Sequence, residues 1–158
     1  MTGPSRILRY LDERFFVRDL KAKTKDGVLK ELADCLSQDR EVRDARLLLE
    51  MLKKRESLGS TAIGSGVAIP HGRSLAVSSI KILFARHSKG VDFESPDGQP
   101  VQLFFLIVAP PQDRNNEYLP LLGQIAELVK EPSARDRLLR ASTFGDLRLI
   151  LEGGDDAR

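Results

Sequence analysis

The stretch VQLFFLIVAP, from Val101 to Pro110, is the most continuous apolar run in the chain. Its Val, Phe and Ile content and its closing proline predict a central β-strand covered on both faces, since a strand with one wet face alternates apolar and polar residues. Such a strand needs a layer above and below it. The flanking sequence supplies helices. TKDGVLKELADCLSQD sets Val28, Leu32, Cys35 and Leu36 on one helical face, with Thr24 or Asp26 as N-cap, and the spacing places Cys35 in the core. A second helix fits Asp44 to about Arg55, where Ala45, Leu48, Leu49 and Leu52 form the stripe and Gly59 the stop. Phe15 to Val17 and Val67 to Ile69 fit short strands, Pro70 ends the latter, and SIKILFARH alternates as a strand does. Pro96, Asp97 and Gly98 signal a turn. Beyond PPQDRNN, a helix presents Tyr118, Leu121, Leu122, Ile125, Leu128 and Val129 on one face, with Asn115 or Asn116 as its expected cap. PSARDRLLRA and STFGDLRLILE form two shorter helices, the second with Thr143 and Asp146 at capping-box spacing. The expected fold is α/β, a single-domain layered fold with a mixed β-sheet flanked by helices on both faces.

Composition narrows the function. The chain has 158 residues, enough for one well-buried core, and its 25 basic and 23 acidic residues are mixed along it, so no basic stripe points to nucleic acid. One cysteine, Cys35, excludes an internal disulfide, and with two histidines, His71 and His87, it cannot assemble a histidine and cysteine metal cluster. The first twenty residues carry charges every few positions, and no run approaches the ~20 apolar residues of a membrane span. A cytoplasmic protein without membrane insertion is expected.

GSTAIGSGVAIPHGR, from Gly59 to Arg73, puts His71 directly after a proline in a glycine-rich bend. Gly64, Gly66 and Gly72 permit backbone conformations and close approach that a Cβ resists, so a bulky group can come near the ring. A neutral imidazole carries a lone pair able to attack phosphorus, giving a phosphohistidine. Such a transfer needs cations or donors on the phosphoryl oxygens. Arg55 at the helix end, Arg73 two residues after His71, and the hydroxyls of Ser60 and Thr61 are the candidates. On the residues alone, a lone loop histidine beside arginines is more often a structural or incidental group.

The motif GSTAIGSGVAIPHGR, with KKRESL upstream, resembles the phosphoacceptor motif of the phosphotransferase-system (PTS) EIIA domains of the mannitol and fructose type, most of all their nitrogen-regulatory branch. Arg55-Glu56, Gly59-Ser60-Thr61, Gly64 and Gly66, and Ala68-Ile69-Pro70-His71-Gly72 occur in the family's order. QPVQLFFLIVAP and RNNEYLPLLGQIAEL are similar to the family's central strand and the segment after it. The resemblance spans roughly residues 10–152, leaving 1–9 and 153–158 as expected flexible termini. It implies that His71 accepts a phosphoryl group from phosphorylated HPr or its nitrogen-branch relative, and that Arg55 stabilises the transferred charge through paired hydrogen bonds. Ser60, Thr61, Gly72, Arg73, Asn116 and Tyr118 are expected to support the site. The group would pass to a IIB domain or act as a regulatory signal, with no metal or diffusible cofactor.

One residue departs from the pattern. The family commonly has a second histidine before the leucine of an NNEHL-like segment, and here Tyr118 stands in that place. A tyrosine hydroxyl donates a hydrogen bond but offers no imidazolium. Two further readings follow: a module whose phosphorylation switches its binding to a transporter, kinase or transcription regulator, or a degenerate member that no longer transfers phosphate. His87, on a different strand, is expected to be exposed and structural.

Overall fold

The apolar run forms the strand it predicts. The computed structural model describes residues 3–153. Its six-stranded sheet contains β1 (Phe16–Val17), β2 (Ala62–Gly64), β3 (Val67–Ala68), β4 (His71–Arg73), β5 (Lys81–Val91) and β6 (Val101–Ala109). The order is β1-β5-β6-β3-β2, and β4 also pairs with β6. The sheet is mixed: β5 runs antiparallel to β6 and β2 to β3, whereas β1 is parallel to β5, and β3 and β4 are parallel to β6.

Successive side chains of the two long strands enter opposite layers, as the period of two requires. Leu83, Ala85, Phe104, Leu106 and Val108 pack with Val28, Leu32, Leu48 and Leu52, which belong to α1 (Lys25–Leu36) and α2 (Ala45–Ser57). Ile82, Phe84, Leu103, Phe105 and Ile107 pack on the other side against α3 (Tyr118–Lys130), α4 (Pro132–Arg140) and α5 (Phe144–Leu151). Helices therefore cover both faces.

The helix starts follow local chemistry. The Thr24 hydroxyl accepts from Gly27 N–H, the Asp44 carboxylate from Leu47 N–H, and Thr143 with Asp146 completes a capping box. The start of α3 differs from expectation. Neither Asn115 nor Asn116 caps it; Asp113 reaches forward instead, its carboxylate accepting the Tyr118 N–H at 2.7 Å. Asn116 takes a left-handed turn conformation, φ 53°, that makes this reach possible.

Four differences arise where tertiary packing overrides local pattern. β5 is buried on both sides from Lys81 to His87, because β1 and β6 flank it and helices cover it. Its polar side chains are paired accordingly. Lys81 Nζ meets Asp39 at 3.2 Å and Glu41 at 2.6 Å, and Arg86 donates to the carbonyls of Arg18, Leu139 and Ala141, a cation at the carboxyl end of α4. His87 is buried rather than exposed. Its Nε2 faces the Ala22 carbonyl at 2.8 Å and its Nδ1 the Gly90 N–H at 3.0 Å. A carbonyl only accepts and an N–H only donates, so both bonds require the neutral ring with its proton on Nε2. Cys35 is half-buried beside α2's core, and burial raises its thiol pKa. Residues 3–10 form a 3-10 helix whose Ile7 is fully buried against the α3 to α5 layer; of the expected flexible start, residues 1 and 2 lie outside the described residues. Of the expected flexible tail, 154–158 lies outside the described residues.

Candidate active site around His71

Proline at position 70 breaks one potential strand into two. Ala68 pairs with Phe104, and after the break His71 pairs with Ile107, Gly72 with Val108 and Arg73 with Ala109, all along β6. His71 therefore opens a strand of its own, β4, on the far side of Pro70. Matching positions of neighbouring strands share a face, so His71 and Arg73 lie on the α3 side with Ile107 and Ala109, and Gly72 lies on the α2 side with Val108. A Cβ at Gly72 would sit 2.2 Å from the Met51 sulfur. Gly72 is thus the residue that lets α2 close on the sheet. Gly64 and Gly66, with φ of 95° and 77°, serve a different purpose: they form the turn between β2 and β3, where Asp97 accepts the Ser65 N–H.

The His71 ring is half-buried and held in one tautomer. Its Nδ1 lies 2.7 Å from the Ile69 carbonyl, which can only accept, so Nδ1 carries the proton. The lone pair is then on Nε2, which has no hydrogen-bond partner among the described residues.

The loop between α2 and β2 hangs on Glu56, which the sequence reading named only as part of the motif and gave no role. Glu56, buried at the end of α2, accepts the Thr61 N–H at 3.1 Å and the Thr61 hydroxyl, and Lys25 Nζ reaches the same carboxylate at 2.9 Å. Burial pulls the Lys25 pKa down, but hydrogen bonds to Glu94 and Glu56 outweigh it and the net direction is up. Ser60 donates to the Phe93 carbonyl at 2.6 Å and accepts from Ala62 N–H. The hydroxyls of Ser60 and Thr61 are thus engaged in fixing the loop. The Arg-Glu pair in the motif signalled Glu56; Lys25 had no local signal.

Arg55, half-buried, donates one guanidinium N–H to the Gly59 carbonyl at 2.8 Å, which turns it back over the helix end. Tyr118, a residue 5% exposed, opens α3, and the Arg73 guanidinium lies over its ring, 4.6 Å from the centroid. Burial pushes the Tyr118 hydroxyl up to about 12, while Arg73 and then Arg55 pull it back partway. Asn116 is exposed in the turn before α3 and makes no side-chain contact to this group among the bonds described. Beside Arg73, a groove of about 480 Å³ runs along α2, with Leu47, Met51, Lys54 and Leu75 in its walls.

The sheet, covered by helices on both faces, thus carries at His71 an imidazole held in one tautomer, with Arg73 two residues further along the same strand. The family model described as "Phosphoenolpyruvate-dependent sugar phosphotransferase system, EIIA 2" matches residues 9–153, and the chain belongs to that family of phosphotransferase-system components. A "Nitrogen regulatory protein" of Bradyrhizobium diazoefficiens is 42% identical over 123 residues, 78% of each chain. The "PTS system fructose-specific EIIABC component" of Bacillus subtilis is 34% identical over 138 residues; these cover 87% of this chain but 22% of that longer protein. The crystal structure of the nitrogen regulatory protein IIA-Ntr from Neisseria meningitidis superposes with a TM-score of 0.85 at 34% identity, covering 92% of this chain and 99% of that one. No helix among the described residues is long and apolar enough to cross a membrane.

Proposed function

We propose that His71 is the phosphoacceptor and that Nε2 is the atom that takes the group. The observation that supports this most is the 2.7 Å contact between Nδ1 and the Ile69 carbonyl, which puts the proton on Nδ1 and leaves Nε2 as a lone pair without a competing partner. The donor is the phosphohistidine of an HPr-like carrier protein. The Nε2–P bond forms as the donor's N–P bond breaks, and the donor imidazole leaves with the electron pair. Arg55 keeps N–H groups beyond the one given to Gly59 and holds the phosphoryl oxygens, a planar fork matched to that geometry. The groove beside Arg73 offers exposed Leu47 and Leu75 to a docking carrier, and the relay takes place in the cytoplasm.

From His71 the group goes to a IIB domain, or remains as a charge that alters binding to a transporter or kinase. The 42% identity with a nitrogen regulatory protein favours the second use. Incubation with phosphorylated HPr places acid-labile phosphate on the wild type and none on His71→Ala; equal labelling of the two removes the proposal. Pull-downs with wild type and His71→Asp separate the two uses, since identical partner sets exclude a charge switch.

A further inference from the structure

We infer that Tyr118 is a positioning residue whose buried ring seats the Arg73 guanidinium beside His71, so that Arg73 provides the fixed charge for the phosphoryl group. The inference rests on the phosphoacceptor reading of His71.

Three observations meet here. Arg73 stands two residues from His71 on β4, so both side chains leave the sheet on the same face. Arg73 is exposed at the end of β4, and a long side chain at such a place would sample many rotamers. Instead its guanidinium lies on the Tyr118 face at 4.6 Å and donates to the Pro110 carbonyl at 3.3 Å. The seat itself is rigid. Tyr118 is buried, its N–H is held by Asp113 at 2.7 Å, and the preceding Glu117 accepts from the Tyr10 hydroxyl of the N-terminal 3-10 helix.

Chemistry assigns the roles within the pair. A phenol kept neutral cannot balance the charge of a transferring phosphoryl group, whereas a guanidinium is always charged and presents several N–H donors. The aromatic face attracts that cation without consuming its N–H groups, which leaves donors for phosphoryl oxygens. A histidine at position 118 would act differently: when protonated it would repel Arg73 rather than hold it. The tyrosine is then a second solution to the same electrostatic need.

The test is single-turnover labelling of His71 in the full chain by phosphoramidate, a small donor that bypasses docking in the nearby groove, with phosphorylated HPr as a parallel donor. Arg73→Gln is expected to slow labelling by about tenfold from both donors, in line with loss of one exposed charge-stabilising group. Tyr118→Leu should slow it similarly, Tyr118→Phe should recover most of what Tyr118→Leu loses, and Tyr118→Leu should slow the Arg73→Gln variant no further. That non-additivity separates seating of Arg73 from general damage to the fold, which would slow both backgrounds alike. If wild type is labelled at His71 and Arg73→Gln stays within twofold of it, or if Tyr118→Leu acts equally in both backgrounds, the inference is wrong while the phosphoacceptor reading stands. If wild type takes no label at His71 from either donor, both fall together.

Discussion

Lys25 in the first turn of α1 and Glu56 in the last turn of α2 form an ion pair at 2.9 Å that fastens the loop before His71 from below. The pair is nearly dry, with side-chain exposures of 16% and 5%, and Lys25 also lies over the Phe93 ring. Removing Glu56 takes the acceptor from both Thr61 bonds and leaves Lys25 with the exposed Glu94 as its remaining partner. Glu56→Ala should cost about 3 kcal/mol of stability in urea unfolding. Lys25→Met should cost less, because Thr61 then keeps both of its bonds to the carboxylate. Equal losses for the two variants would mean that Thr61 gains nothing from Glu56.

Gly72 is required by packing rather than by backbone conformation. Gly72→Ala forces the Met51 sulfur out of a space only 2.2 Å from the new methyl, at a cost of about 1–2 kcal/mol. Combining it with Met51→Ala should add little to the cost of Met51→Ala alone, since the obstacle is gone. Thermal unfolding of the four proteins in this cycle measures the coupling. Strictly additive costs would place the strain elsewhere.

Acid should loosen the end of the sheet around Lys81. The Arg14 side chain, hydrogen-bonded to Asp12, is the main cause that lowers that carboxyl to about 2. Burial acts to raise the Asp39 pKa, but the Glu41 N–H and Lys81 outweigh it and the direction is down. For carboxyls whose folded pKa is depressed, the stabilisation is present above their ordinary value near ~3.9 and is lost as pH falls through the folded value. Urea midpoints should therefore decline from about pH 4 toward pH 2, and Asp39→Asn should flatten that decline. An unchanged acid limb in Asp39→Asn would show that the Lys81 cluster does not set it.

β6 was legible because a strand buried on both faces writes its burial into every residue. The helices were legible for the complementary reason: α1, α2 and α5 each carry an apolar stripe and a side chain that caps them locally. β4 was not, since a strand built from His71, Gly72 and Arg73 has no pattern of its own and exists only through pairing with β6. Nothing local marks Lys81 and Arg86 as buried, since the elements that cover them belong to distant segments. At the site, the motif singled out His71, Arg55, Arg73 and Tyr118. The tautomer depended on a backbone carbonyl, and the stacking of Arg73 on Tyr118 on a contact between distant segments. Neither leaves a trace in residue spacing.

The most direct measurement is a two-dimensional nitrogen–phosphorus correlation on the uniformly 15N-labelled protein after phosphorylation by phospho-HPr. The account predicts one phosphorus resonance, coupled to Nε2 of His71, with Nδ1 still protonated and bonded to Ile69. A phosphorus coupled to Nδ1, or to any residue other than His71, would contradict it.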